Sequence, residues 1–254
     1  SSKDGTLTDA GEVLVEYARQ ILNLRRNAEL AVKELSELHR GKVSISANEH
    51  TVFYLLPVIM EFRRRHPQIK VEVKRGVASR IPKEIASREV ELGVLSFKPA
   101  DAGLKAMQVL TDELVLIVAP GHRLAGAENI SIKELADETF IAHNAKSPYR
   151  EKVIECFANN RTPLRITVEL PSLEAIKRMV EQNAGVALVP RLTAAAEIES
   201  GRLRGVTVKE MRLERRLHIV YRRNSPLSHA AKAFLELAEE MAARAKPAAD
   251  GNAA

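Results

Sequence analysis

The sequence predicts an α/β protein: two lobes of alternating strands and helices, joined by two crossover strands and preceded by a long dimerisation helix. Three observations predict this architecture. An apolar seam repeats along the first segment, a strand–helix grammar then occurs twice, and two long apolar strands fit inside neither repeat. With 254 residues, 45% of them hydrophobic and 28% charged, the chain can bury a large core and is too long for one small domain.

The opening helix starts at Thr8, an N-cap followed by Asp9 and Glu12, acids that the positive end of a helix favours. Leu14, Tyr17, Ile21, Leu24, Ala28, Ala31, Leu35 and Leu38 then fall at alternating spacings of three and four. That is an a/d seam of about four heptads, roughly 40 Å of helix, ending at Gly41. A single amphipathic helix packed on its own domain would show a similar stripe. The seam's length, ahead of a domain that looks complete without it, points instead to a partner helix.

In the first lobe, Val43–Ser46 alternates as a strand and Thr51 to Arg65 reads as a helix, which His66-Pro67 stops. Ile69–Val73 is a strand, Pro82 to Arg88 the core of a helix, and Glu91 to Ser96 a third strand. In the second lobe, Ser131 and Glu134 form a capping box on a short helix, and Phe140–Ala142 is a strand. Ser147-Pro148 opens a further helix as N-cap and N1 proline. Ile166–Leu170 is a strand, Ser172 caps a helix to about Gln182, and Val186–Pro190 is a buried strand. Leu114 to Ala119 and Leu217 to Tyr221 are the crossover candidates. Ser228 to Arg244 is the last helix, and Lys246–Ala254 a mobile tail.

Composition excludes several classes. No apolar run approaches the roughly 20 residues of a membrane span. The single Cys156 excludes an intramolecular disulfide and suits a reducing cytoplasm, as a half-buried small residue. The net charge is +6, but the basic residues form no stripe, and 4% aromatic content without tryptophan argues against a base-stacking surface. No nucleophile elbow, phosphate loop, dinucleotide fingerprint or metal-ligand spacing is present, so neither an enzyme nor a metal or cofactor is expected.

The chemistry lies instead in helix N-termini that follow strands. There, N–H groups and short polar side chains can receive a small anion, a carboxylate or an oxyanion. The candidate effector residues are Asn48, His50, Thr51, Ser79 and Arg80 in the first lobe, and His143, Asn144, Ser147, Arg150 and Ser172 in the second. Ser147 and Ser172 also serve as helix caps, and Glu49 opposes an anion beside His50.

Leu7-Thr8-Asp9-Ala10-Gly11 followed by Tyr17-Ala18 resembles the wing–linker junction of LysR-type transcriptional regulators. Gly41–Ser46, Leu55-Leu56-Pro57, Phe62, His66-Pro67 and Glu91-Leu92-Gly93-Val94 are similar to the start of that family's effector domain. Pro120–Ala125 and Gly185–Pro190 match two later landmarks in order, with His122 read as loop structure. The ordered set covers the chain to about Arg244.

The resemblance implies two Rossmann-like lobes of the type 2 periplasmic-binding-protein kind, with a small-molecule effector between them. It divides the chain into 1–41 (end of wing and linker helix), 42–113 with 222–246 (lobe I), 114–221 (lobe II) and 247–254 (tail). It also implies a cytoplasmic homodimer or homotetramer with no membrane partner, whose full-length parent meets promoter DNA and RNA polymerase. His50 departs from the small hydroxyl residue common at that position. The family's winged helix-turn-helix is expected to lie largely outside these residues, so no sequence-specific DNA binding is expected of them. The alternative is a solute-binding protein of a transport system with the same lobes, and a third class is an enzyme on a similar fold.

Overall fold

The computed structural model describes residues 7–36, 41–145, 147–211 and 213–245. Seam residue Leu38, the first wing residues and the 247–254 tail lie outside the described residues. The chain divides into two compact units. One comprises the described residues through Leu110 together with those from Leu217 onward, and the other is Thr111–Arg216.

Helix α1 runs from Asp9 to Ser36. The Thr8 hydroxyl accepts from the Gly11 N–H at 3.1 Å, so the predicted cap forms. Leu14, Tyr17, Ile21 and Leu24 are all exposed, between 48% and 69%. Ala31 and Leu35 lie within the helix.

The first unit continues with β1 (Lys42–Ala47), α2 (Val52–Arg65), β2 (Lys70–Arg75), α3 (Ile81–Ala86) and β3 (Leu92–Leu95). Strand β1 pairs in parallel with β2 on one side and β3 on the other. Strand β4 (Leu104–Val118) carries the chain out of this unit. The second unit contains β5 (Asn129–Ile130), a 3-10 turn at Ile132–Leu135, β6 (Thr139–His143) and α4 (Pro148–Asn159). It goes on through β7 (Arg165–Leu170), α5 (Leu173–Glu181), β8 (Ala187–Pro190), α6 (Arg191–Glu199) and β9 (Arg204–Val208). Strand β10 (Glu214–Arg222) returns the chain to the first unit, where it runs antiparallel to β3, and α7 (His229–Ala245) follows.

In the first unit α2 and α7 meet edge to face through Phe62 and Phe234, ring centroids 5.1 Å apart and both side chains fully buried. On α3, Ile81 and Ile85 pack with Val90, Leu95, Leu104 and Val220. Gly93 lets α3 lie against β3: a Cβ there would overlap Ile81 Cγ2 and sit 2.8 Å from Ile85 Cδ1. In the second unit β8 and β9 pair antiparallel to β4, while β6 and β7 form a separate parallel pair. Its core is built around Leu116, Ile130, Phe140, Phe157, Val206 and Met211.

The elements depart from the sequence reading in several places. Helix α3 stops at Ala86, because Arg88 takes a left-handed φ of 63° and closes it. Strand β4 begins at Leu104 rather than Leu114, since the polar run Thr111-Asp112-Glu113 separates its first half from the apolar stretch that follows. The reading also passed over β5, α6 and β9. His122 fits the loop role given to it: its Nδ1 accepts from the Leu124 N–H at 3.2 Å, and its Nε2 lies 3.1 Å from Glu138 Oε2.

Candidate functional site

The parallel register fixes where the first-unit candidates emerge. Ala47 pairs with both Arg75 and Val94, so the carboxyl ends of β1, β2 and β3 share one sheet edge. The turn after β1 is organised by Asn48, whose Oδ1 accepts from the N–H groups of His50 (3.0 Å) and Thr51 (2.9 Å). Thr51 is fully buried and donates its hydroxyl to the Val94 carbonyl at 3.2 Å. Asn48 and Thr51 thus engage donors that the sequence reading offered to a ligand, while Glu49 and His50 are both half-exposed in this turn. Ser79 and Arg80 are exposed in the turn before α3.

Sequence reasoning missed two residues beneath this edge. The Ser46 hydroxyl, fully buried, donates to Glu84 Oε2 at 2.6 Å. Gly76 allows that contact, because a Cβ there would overlap Ser46 Oγ. A serine at an inward strand position and an acid in a short helix carry no joint signal in the sequence.

In the second unit the β6–β7 register pairs His143 with Leu170, so the segments ahead of α4 and α5 leave from the same end. The Asn144 N–H extends the ladder to the Leu170 carbonyl at 3.0 Å. Ala145 N–H donates to His143 Nδ1 at 3.0 Å, which puts the proton of a neutral imidazole on Nε2. Ser147 accepts from the Arg150 N–H at 3.1 Å, and Ser172 from the Ala175 N–H at 3.5 Å, so both cap their helices. The Arg150 guanidinium donates to the His143 carbonyl at 2.7 Å and pairs with Glu169. This unit therefore brings together His143, Asn144, Ser147 and Arg150 around the start of α4, with Ser172 at the neighbouring helix. Arg150, in the first turn of α4, thus already has a carboxylate partner.

A buried cluster in the same unit was also missed. Arg215 Nη1 donates to Asp112 Oδ2 at 2.8 Å, with the two residues 3% and 8% exposed. Asp112 Oδ1 accepts from Leu192 N–H at 3.2 Å, supplying the cap that Pro190 cannot give to α6. The Arg215 guanidinium lies 5.1 Å from the Tyr149 ring centroid. Burial pushes the Asp112 carboxyl upward, against the pull of Arg215 and of the Glu113 and Leu192 N–H groups. Among the described residues, no group of three His, Cys, Asp or Glu could hold a metal ion, and no helix is long and apolar enough to cross a membrane.

Residues 36–243 match the family model described as the LysR substrate binding domain. The RuBisCO operon transcriptional regulator of Allochromatium vinosum is 30% identical over 243 residues, 95% of this chain and 80% of that protein. A probable RuBisCO transcriptional regulator of Cyanophora paradoxa is 32% identical over 243 residues, 93% of this chain and 75% of that one. Among solved structures, the CcmR regulatory domain of Synechocystis PCC6803, in complex with 2-PG, superposes with a TM-score of 0.70 at 26% identity. That match covers 80% of this chain and 97% of the CcmR domain. The chain thus belongs to the LysR family of transcriptional regulators, not to an enzyme family, and carries that family's effector-binding domain.

Proposed function

We propose that this chain is the effector-sensing and oligomerising module of a cytoplasmic bacterial regulator, and that its effector is a small anionic metabolite. The observation that carries the reading is the 2-PG complex of the CcmR domain, a relative of the same fold at 26% identity. The strand-end turns around His50, Ser79, Arg80, His143, Asn144, Ser147 and Arg150 are the proposed contacts, with Asn48, Thr51 and Ser172 shaping the turns. Promoter DNA and RNA polymerase are proposed partners of the full-length regulator. Family membership favours this reading over a transport-associated solute-binding protein.

Calorimetry of the chain with 2-PG, inorganic phosphate and a panel of carboxylates tests it. Arg150→Met should weaken binding of the preferred anion by about tenfold or more, the value of a charge-assisted hydrogen bond. Preferential binding of neutral metabolites, unaffected by Arg150→Met, contradicts the anion reading.

A further inference from the structure

Asp112 and Arg215 lie on β4 and β10, the strands through which the chain enters and leaves the second unit. Each is the second residue from a crossing point, since the division falls after Leu110 and after Arg216. Charged side chains buried this deeply are costly unless paired, and here the Arg215 guanidinium meets the Asp112 carboxylate at 2.8 Å. The pair also reaches two helices. Asp112 holds the first turn of α6 through Leu192 N–H. Arg215 faces the ring of Tyr149, the residue between Pro148 and Arg150 in the first turn of α4. Lys152 approaches the same ring at 5.5 Å, so two cations lie against it.

We propose that Asp112, Arg215 and Tyr149 are positioning residues: they fasten the first turn of α4, and so the Asn144, Ser147 and Arg150 contacts, to the two strand segments at which the chain passes between units. Occupation of the α4 turn by an anion is then felt at β4, β10 and the start of α6 through one desolvated contact chain. The ring–guanidinium contact is the step that links a turn open to a ligand with a pair that no ligand reaches. This inference rests on the effector reading above, since Ser147 and Arg150 are taken from it.

Amide hydrogen exchange of the whole chain, without ligand, tests the coupling first. Tyr149→Leu should accelerate exchange of the Leu192 N–H by about tenfold or more and leave the start of α5 unchanged, while Tyr149→Phe, which keeps the ring, stays at the parent rate. Arg215→Met should likewise accelerate exchange in the first turn of α4. Unchanged Leu192 exchange in Tyr149→Leu overturns the proposal, as does a uniform acceleration across the unit. With 2-PG added, the parent should gain protection at Leu192, and Tyr149→Leu should still bind 2-PG by calorimetry without that gain. Equal gains in both chains overturn the coupling. Failure of the parent to bind 2-PG overturns that choice of effector alone, and the ligand-free exchange then decides the coupling.

Discussion

At the scale of single residues, the most consequential side chains are charged ones placed where water does not reach. Removing Asp112 strands a buried guanidinium, and breaking such a pair from one side costs about 3–5 kcal/mol. Asp112→Ala should therefore lower the urea midpoint sharply. The double change Asp112→Leu with Arg215→Met should lose much less, because neither charge is left desolvated and alone. A smaller effect of opposite geometry belongs to Gly93, where Ile81 and Ile85 occupy the space a methyl group would need. Gly93→Ala should cost about 1–3 kcal/mol by overpacking, read in the same denaturation experiment. Gly93 stood in the sequence only as part of a family landmark, without its packing role. Asp112 falls ahead of the strand read from the sequence at Leu114, and its partner lies 103 positions away.

At the scale of elements, helix and turn termini were legible because their signals are local. Ser131 and Glu134 form the expected capping box, but the structure adds a distant acid to it. Glu210 accepts from the Ser131 hydroxyl at 2.7 Å and from the Ile132 N–H at 2.9 Å. The Ile132 N–H first, and then the Ser131 hydroxyl, hold its carboxyl below the ordinary 4.5. A depressed folded value means the ionised form is favoured by folding, so this contribution is fully present above 4.5 and is lost as pH falls through the lower folded value. Glu210→Gln should show a smaller drop in thermal midpoint than the parent when the pH is taken from 7 to below 4.5. An equal drop in both would remove Glu210 from the chain's acid lability. Strand β4 shows the opposite case: its first half is half-polar, and only pairing with other strands can make it extended.

At the scale of the whole molecule, α1 exposes Leu14, Tyr17, Ile21 and Leu24 along one seam. Exposed apolar side chains repeating at this spacing over a helix of 28 residues suit a coiled-coil partner. Light scattering should give a dimer or larger for the parent, and Ile21→Glu, which puts a charge into the seam, should shift it towards monomer without changing the helical signal of the lobes. A parent that is monomeric at micromolar concentration contradicts the oligomerising role. Periodicity, caps and the order of short landmarks are properties of neighbouring residues, so the sequence by itself determined the α/β class, the long seam helix, most helix starts and the family. Which polar groups remain for a ligand depends on partners far apart in the chain. Only the tertiary structure decided that Thr51 is buried on Val94, that Arg150 is paired with Glu169, and that Asp112, Arg215 and Tyr149 meet. For Thr51 and for Asp112 with Arg215 desolvation is the reason: a buried polar group must find a partner wherever the fold brings one, and sequence distance does not enter that requirement.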